Sequence, residues 1–177
     1  ARNGARPVVL ATSDMTLAIG ARGTLVLEGL VIAGGALRLA ATGDDEPRTL
    51  ILRDCTLVPG LALKPNGSAT SPGQPSLVIA HPFAKVTIER CITGPLQVDT
   101  HAEIELRDTI VDAGAPHAVA FDGDGSGGAG GELTIKSCTL IGKVHTRLMS
   151  LASNSLFFAN LAATDPWAGP VIADRRQ

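Results

Sequence analysis

The sequence predicts an all-β protein folded as a solenoid of about six coils, and three observations lead to this prediction. The 177 residues include 20 glycines and 11 prolines but only 3% aromatic residues, which favours short strands and many turns over long helices. A segment in which apolar and polar residues alternate recurs along the chain. The copies are joined by connections of unequal length, which is typical of stacked strands with variable loops.

Each copy of the repeat begins with a strand whose apolar residues form two columns. The copies cover residues 24–34, 49–60, 85–94, 103–114 and 132–142, with a weaker sixth copy at 148–157. The columns are two residues apart and therefore point to the same face of a strand. The first column contains Leu25, Leu50, Val86, Ile104 and Leu133, and the second contains Leu27, Leu52, Ile88, Leu106 and Ile135. Charged residues beside them, such as Glu28 and Arg53, face solvent.

A corner follows this strand, because the next inward column begins three residues later. That column contains Leu30, Cys55, Cys91, Thr109 and Cys138. Short second strands are predicted at 36–40, 61–63, 96–98 and 118–121. Coils that rise by one strand spacing, ~4.8 Å, place equivalent residues above one another, so the columns become ladders. The sequence therefore predicts a parallel β-helix.

The three cysteines share the corner ladder. Their odd number, and the lack of any Cys-x-x-Cys or Cys/His cluster, argue against a disulfide framework and a zinc site. We interpret them as buried free thiols that pack as small apolar residues. A redox or metal role is the alternative. A disulfide between Cys55 and Cys91 also stays open, because adjacent coils bring their backbones within ~4.8 Å.

One domain over residues 1–177 is expected from the length of the chain. Residues 1–23 are assigned to a first coil or cap, 24–157 to regular coils and 158–177 to a terminal segment. The start has no initiator Met and no signal-like region, so we expect a piece excised from a larger protein. Because an open coil end exposes apolar surface, we expect the terminal segment to bury Phe157 or Phe158 or to contact another subunit.

The charge balance limits the partners. Fifteen Lys and Arg against 17 Asp and Glu give a net charge of −2, which provides no large positive field for nucleic acid or an anionic membrane. Charged residues also interrupt every apolar stretch before the ~18 residues that a membrane span needs. We therefore exclude nucleic acid and membrane, and expect contacts with other parts of the parent protein, with a surface glycan or with a second copy.

The stacked columns resemble the right-handed parallel β-helix superfamily typified by pectate lyases and phage tailspikes. This resemblance covers residues 24–157 and implies architecture without a catalytic motif. From Gly127 onward the sequence also resembles the C-terminal coils of large, mostly uncharacterised bacterial proteins found with phage-tail-like or contractile-injection gene clusters. Residues 153–157 match their "LxASNSIF" strand, and residues 175–177 match their "VxVxRRQ" element. The second resemblance implies a bacterial extracellular or tail-like location.

Few residues carry the chemistry of a carbohydrate-cleaving β-helix, which needs carboxylates flanking the scissile bond or a cation site beside a base. The adjacent acids Asp44 and Asp45 are interpreted as a solvated turn. The four histidines, His81, His101, His117 and His145, show no metal-ligand spacing, and the first and third are interpreted as turn residues. Cross-coil charge ladders are expected between Glu105, Arg107 and Asp108 on one side and Arg90, Arg53 and Asp54 on the other.

One glycine-rich loop resembles the start of a calcium site. Asp122, Asp124 and Ser126 occupy positions one, three and five, and Gly127 occupies position six. The pattern then departs from a calcium loop, because Glu132 stands at position eleven instead of twelve. We interpret the loop as a flexible connection and expect no bound Ca²⁺.

The sequence thus predicts a non-catalytic structural or interaction module of a larger tail-like or cell-surface protein, with no catalytic or cofactor-binding residues. The alternative is a carbohydrate-active β-helix, either a lyase, a hydrolase or a glycan-binding module, with its site on the loops. Sugar binding commonly uses exposed aromatic side chains, and Trp167 is the one tryptophan.

Overall fold

The computed structural model describes residues 5–60, 71, 73–123, 125 and 128–165 of the chain. Within these ranges the residues form strands, turns and bends, and no helix. The described part accordingly contains no helix of sufficient length and hydropathy to cross a membrane. The predicted all-β class is confirmed.

Nineteen short strands follow one another along the described residues. The first nine are β1 (Val8–Ala11), β2 (Met15–Thr16), β3 (Thr24–Glu28), β4 (Val31–Gly34), β5 (Leu37–Leu39), β6 (Arg48–Arg53), β7 (Thr56–Pro59), β8 (Leu77–Ile79) and β9 (Ala84–Glu89). The other ten are β10 (Ile92–Thr93), β11 (Leu96–Val98), β12 (Glu103–Arg107), β13 (Ile110–Asp112), β14 (Val119–Asp122), β15 (Gly130–Lys136), β16 (Thr139–Ile141), β17 (Lys143–Val144), β18 (Thr146–Ser153) and β19 (Leu156–Phe158).

The strands form three parallel sheets, and consecutive strands enter the sheets in a fixed rotation. Sheet A has the order β1-β4-β7-β10-β13-β16-β19, sheet B the order β2-β5-β8-β11-β14-β17, and sheet C the order β3-β6-β9-β12-β15-β18. We call three consecutive strands, one from each sheet, a rung. Each strand pairs in parallel with the equivalent strand of the neighbouring rung, an arrangement consistent with the predicted β-helix.

The predicted inward ladder is confirmed in sheet C. Leu25 lies opposite Leu50, Leu50 opposite Val86, Val86 opposite Ile104, and Ile104 opposite Leu133. The second apolar column follows the same register two residues later. Most of these side chains are buried in one apolar core that runs the length of the stack, so the period-two pattern defines the interior.

The second short strands were predicted with mixed success. β5 and β11 lie where expected, in sheet B, and β14 begins one residue later than predicted. Residues 61–63 lie outside the described residues, and the sheet B position in their rung is taken by β8. In this rung a long connection lies between β7 and β8, so the sheet B strand begins well after the corner. The residue pattern directly after the corner does not show this position. β1 and β2 precede Thr24 and pair with β4 and β5.

The corner between sheets C and A depends on one residue with a left-handed backbone. This residue follows each strand of sheet C and has φ between 48° and 70°: Gly29, Asp54, Arg90, Asp108, Ser137 and Asn154. Glycine, Asp and Asn adopt this conformation most readily. The left-handed residue interrupts the alternation of the strand and turns the chain into sheet A. This is the physical origin of the three-residue step in the sequence.

At three of the corners the next residue accepts a side-chain hydrogen bond from a backbone amide of the preceding rung. Cys91 Sγ accepts from the Cys55 amide at 3.4 Å, and Thr109 Oγ1 accepts from the Cys91 amide at 3.3 Å. Ser155 Oγ accepts from the Cys138 amide at 3.1 Å. These side-chain acceptors provide hydrogen bonds for buried backbone amides at the bend, where the regular pairing between strands is interrupted.

All three cysteines are buried and are free thiols, as the sequence predicted. Burial raises the pKa of the Cys138 thiol. A hydrogen bond with the Cys55 thiol, together with burial, raises the pKa of the Cys91 thiol. Both effects favour the neutral thiol, which is the less reactive form.

In its described part the terminal segment does not cover the final rung, so the expected burial of Phe157 or Phe158 is not found there, and the alternative of a subunit contact stays a prediction. Phe157 and Phe158 are 40% and 58% exposed. Residues 159–165 instead run alongside the preceding rungs, where the Asn160 amide donates to the Pro116 carbonyl at 2.8 Å. Lys143 Nζ lies 2.7 Å from Asp165 Oδ2 in a largely buried ion pair, which holds this segment at the side of the stack.

Candidate interaction surface

The outward side of sheet A carries two columns of mostly apolar residues, which we call the apolar face. The first column contains Val8, Val31, Thr56, Ile92, Ile110, Thr139 and Leu156. The second, two residues later, contains Leu10, Ala33, Val58, Gly94, Asp112, Ile141 and Phe158. Asp112 is the one charged residue in either column. The alternate residues of the same strands, such as Ile32 and Val111, are buried in the core.

Five of the seven strands contribute exposed side chains to this face, and the residues from β4 and β16 are half-buried. Seven of its side chains are 41% to 70% exposed: Val8, Leu10, Val58, Ile92, Ile110, Leu156 and Phe158. Seven strands at ~4.8 Å spacing make the face about 29 Å long, and three residues per strand make it ~10 Å wide. Parallel sheets are normally covered on both sides. A contiguous apolar patch of a few hundred Å² marks an interaction site.

The apolar face is continuous even where its second column contains a glycine. Gly94 offers no side chain, but a Cβ placed there would lie 2.5 Å from Cγ of Pro59 in the preceding rung. The Pro59 ring thus occupies the space beside Gly94. A larger residue at Gly94 would have to displace this ring.

A polar rim borders the apolar face at the corner with sheet C. The Arg90 guanidinium donates to both carboxylate oxygens of Asp54, at 2.9 and 3.0 Å, and holds the pKa of that carboxyl below its usual value. At the last corner, which follows β18, the side-chain amide of Asn154 donates to Ser137 Oγ at 3.2 Å. An apolar centre with a polar rim is the composition of protein–protein interfaces.

The outward side of sheet C is charged and contains a shallow depression of about 470 Å³. It is lined by Lys85, Glu103, Glu105, Glu132, Lys136 and Leu151, among others. Lys85 Nζ lies 3.1 Å from Glu103 Oε2. Lys136 Nζ and Arg107 Nη2 donate to the two oxygens of Glu105, at 2.9 and 2.7 Å. Burial alone would raise the pKa of Glu105, but these two hydrogen bonds outweigh it and lower the pKa.

Cross-rung charge pairs therefore exist, but their partners differ from those expected. Glu105 pairs with Arg107 and Lys136, whereas Arg90 pairs with Asp54, and Arg53 pairs with Glu89 at 3.2 Å. The expected pairing of Glu105 with Arg90 was wrong because Arg90 is the left-handed corner residue. Its side chain extends along the corner instead of across the face of sheet C.

The loop that contains Asp44 and Asp45 is more than a solvated turn. Arg48 is only 3% exposed, and its guanidinium donates to both oxygens of Asp44 at 2.8 and 2.9 Å. This guanidinium holds the pKa of Asp44 well below its usual range. It also donates to the carbonyl oxygens of Ile19 and Glu46. The fully buried His81 places Nε2 2.9 Å from the Glu46 carbonyl oxygen. The cluster fixes the loop over the core.

The glycine-rich loop is described only in part. Asp124, Ser126 and Gly127 lie outside the described residues, so the calcium expectation stays a prediction. Asp122 Oδ1 accepts from the Gly123 amide at 2.8 Å and lies 2.8 Å from His145 Nδ1. Across the described ranges no three His, Cys, Asp or Glu side chains gather into a metal-binding group. Trp167 and residues 175–177 also lie outside the described residues.

The apolar face was not identified from the sequence, although a signal was present. In nearly every copy the residue directly after the corner column is Val, Ile, Leu or Thr, and the residue two positions later is usually apolar. These positions alternate with inward ones and must face outward.

No protein family matches this chain, no curated protein matches its sequence, and no solved structure matches its fold.

Proposed function

We propose that this chain is a non-catalytic structural and interaction module of a larger tail-like or cell-surface protein, and that it contacts its neighbours through the apolar face. The observation that carries this proposal is the exposed pair of apolar columns on sheet A. Burial of such side chains contributes ~25 cal/mol per Å². The same face would be unfavourable if it remained in water.

The shape and chemistry of the face define the kind of partner. A level strip of β-branched and aliphatic side chains fits another flat apolar surface, such as the face of a neighbouring sheet, at the ~10 Å separation of packed sheets. With Asp112 as its one charge, the contact should depend little on salt. The polar rim around Arg90 and Asp54 would fix the position of the partner along the apolar face but would add little to the affinity of the contact.

Protection of side chains from hydroxyl-radical oxidation tests the proposal. In the isolated chain Ile92, Ile110 and Leu156 should be oxidised, and in the intact parent protein the same residues should be protected. Lys substitution at Ile110 should keep the melting temperature, because this side chain is already solvated, but should reduce assembly. The matched control is Thr87→Lys on the outward side of sheet C. Unprotected sheet A residues in the parent protein would contradict the proposal.

A glycan-binding or carbohydrate-active role is the second candidate, and the depression on sheet C favours it. Glu103, Glu105 and Glu132 bring carboxylates from two neighbouring rungs to one outward surface. This role predicts that an uncharged polysaccharide protects sheet C residues and that Glu105→Gln reduces binding. Protection confined to sheet A would favour the interaction module instead.

We further propose that the strands wind as a right-handed coil of about six turns, as in the pectate-lyase-like superfamily. Sheets of seven, six and six strands support this number of turns. Parallel crossover connections are right-handed in ~98% of cases, which supports the handedness. A bacterial extracellular or tail-like location belongs to the same proposal, and immunogold labelling of intact particles would test it.

A further inference from the structure

Two of the three cysteines occupy equivalent positions at neighbouring corners in the middle of the stack. Cys55 lies between β6 and β7, and Cys91 lies between β9 and β10, the strands that pair with them. Backbone pairing continues on both sides, because the Asp54 amide donates to the Glu89 carbonyl at 3.1 Å and the Ile92 amide donates to the Cys55 carbonyl at 3.0 Å. The two backbones are therefore held one strand spacing apart, ~4.8 Å, within the ~4.4–6.8 Å between Cα atoms that a disulfide spans.

The two thiols face each other inside the core. Both residues are 2% exposed, and Cys91 Sγ leans toward Cys55, whose amide nitrogen lies 3.4 Å away. Each thiol also donates to the carbonyl two residues before it, at Arg53 and Glu89, with distances of 3.1 and 3.2 Å. Because S–H groups are weak donors, rotating one side chain away from its carbonyl and toward the other sulfur gives up little.

The third cysteine lies outside the reach of this pair. Strand pairing places Thr109 between Cys91 and Cys138 in the corner ladder. Two strand spacings, ~9.6 Å, separate these two cysteines, and cysteines whose Cα atoms are more than ~7 Å apart cannot be bridged without moving the backbone. Cys138 is therefore an internal control for any chemistry of the pair.

We propose that Cys55 and Cys91 form a disulfide when the chain folds in the presence of a low-molecular-weight disulfide, such as glutathione disulfide. The structure holds the reduced form. One cysteine thiolate attacks the oxidant before the corner closes, which gives a mixed disulfide and releases one glutathione. The other thiolate, brought beside it as the rungs stack, attacks the mixed disulfide and releases the second glutathione. Two cysteine thiols are oxidised, one glutathione disulfide is reduced, and the two thiol protons pass to the two glutathiones.

The bond would join two rungs across a long stretch of chain. The two cysteines are 36 residues apart, and the connection between β7 and β8 lies between them. A cross-link that closes a long loop restricts the unfolded chain and so stabilises the folded one. Burial of both sulfur atoms also shields the bond from thiolate attack. The oxidised stack should therefore resist reductants until it unfolds.

Refolding under two redox conditions tests the proposal. The reduced, denatured chain is refolded in a glutathione redox buffer or in dithiothreitol, then alkylated in denaturant and mapped by mass spectrometry of proteolytic peptides. The oxidised sample should contain a Cys55–Cys91 cross-link and a Cys138 that is not cross-linked to either of them. Cys138→Ala should keep the cross-link, and Cys91→Ala should contain none between the remaining cysteines. A wild-type chain without the cross-link, or with one that includes Cys138, would overturn the proposal.

Thermal unfolding measures whether the folded stack accepts the bond. The oxidised wild-type chain should melt about 4–16 °C above the reduced chain. Cys138→Ala should show the same difference between its oxidised and reduced forms, and Cys91→Ala should show none, so each variant serves as its own reference. Dithiothreitol should leave the bond intact in the folded protein and break it in urea. An oxidised chain that melts at or below the reduced one would show that the corner does not accommodate the disulfide.

Discussion

Thr93 is a buried residue whose replacement by valine should stabilise the protein. Its side chain points into the core from β10, opposite Val111 of β13, and is only 1% exposed. Its Oγ1 has no hydrogen-bond partner among the residues that the structure describes. Thr93→Val replaces the hydroxyl with a methyl group of similar size. A buried hydroxyl without a partner costs about 1–3 kcal/mol, so we expect the free energy of unfolding to rise by ~1–2 kcal/mol.

Urea denaturation followed by circular dichroism measures this change. The midpoint should rise at constant slope, and the melting temperature should rise by about 2–8 °C, since 1 kcal/mol corresponds to ~2–4 °C in a domain of this size. Thr109→Val is the matched control. Thr109 is equally buried, but its hydroxyl donates to the Arg107 carbonyl at 2.8 Å and accepts from the Cys91 amide. This control should lose ~1–3 kcal/mol. A Thr93→Val chain that is less stable than wild type would refute the reasoning.

Three further predictions concern other parts of the stack. Gly131→Ala should reduce stability by more than ~2 kcal/mol, because its Cβ would lie 2.1 Å from the Ala102 carbonyl oxygen, whereas Gly43→Ala, which meets nothing within 4 Å, should be nearly neutral in urea denaturation. Lys143 lowers the pKa of Asp165, so this pair stabilises the terminal segment above the unfolded pKa of ~3.9 and is lost as the pH falls below it. The protection factors of the amides in residues 159–165, which are the exchange rates corrected for the intrinsic rate at each pH, should therefore be lower at pH 3 than at pH 6, and Lys143→Met should remove the difference. Thiol titration of the native protein should give almost no fast reaction, and all three thiols should react after denaturation: Cys55, Cys91 and Cys138.

The sequence by itself determined the strands of sheet C, the corner and the burial of the cysteines. Period-two alternation is a local property, so Leu50 and Leu52 must share a face whatever the rest of the chain does. The three-residue step to Cys55 likewise predicts a bend, and the left-handed φ of Asp54 is its cause. Because the same pattern recurs in each copy, stacking the copies in register follows from burying one apolar face.

The tertiary structure decided the features that depend on residues far apart in the chain. Arg48 and His81 are buried together because a loop from one rung folds onto the next, and neither residue stands in a pattern that shows this. The terminal segment lies at the side of the stack because Lys143 binds Asp165 there. The apolar face arises only when seven short strands align their outward residues, such as Ile92 and Ile110. A single outward apolar residue is ordinary on a protein surface, and the contiguous area that makes it a binding surface exists only after stacking.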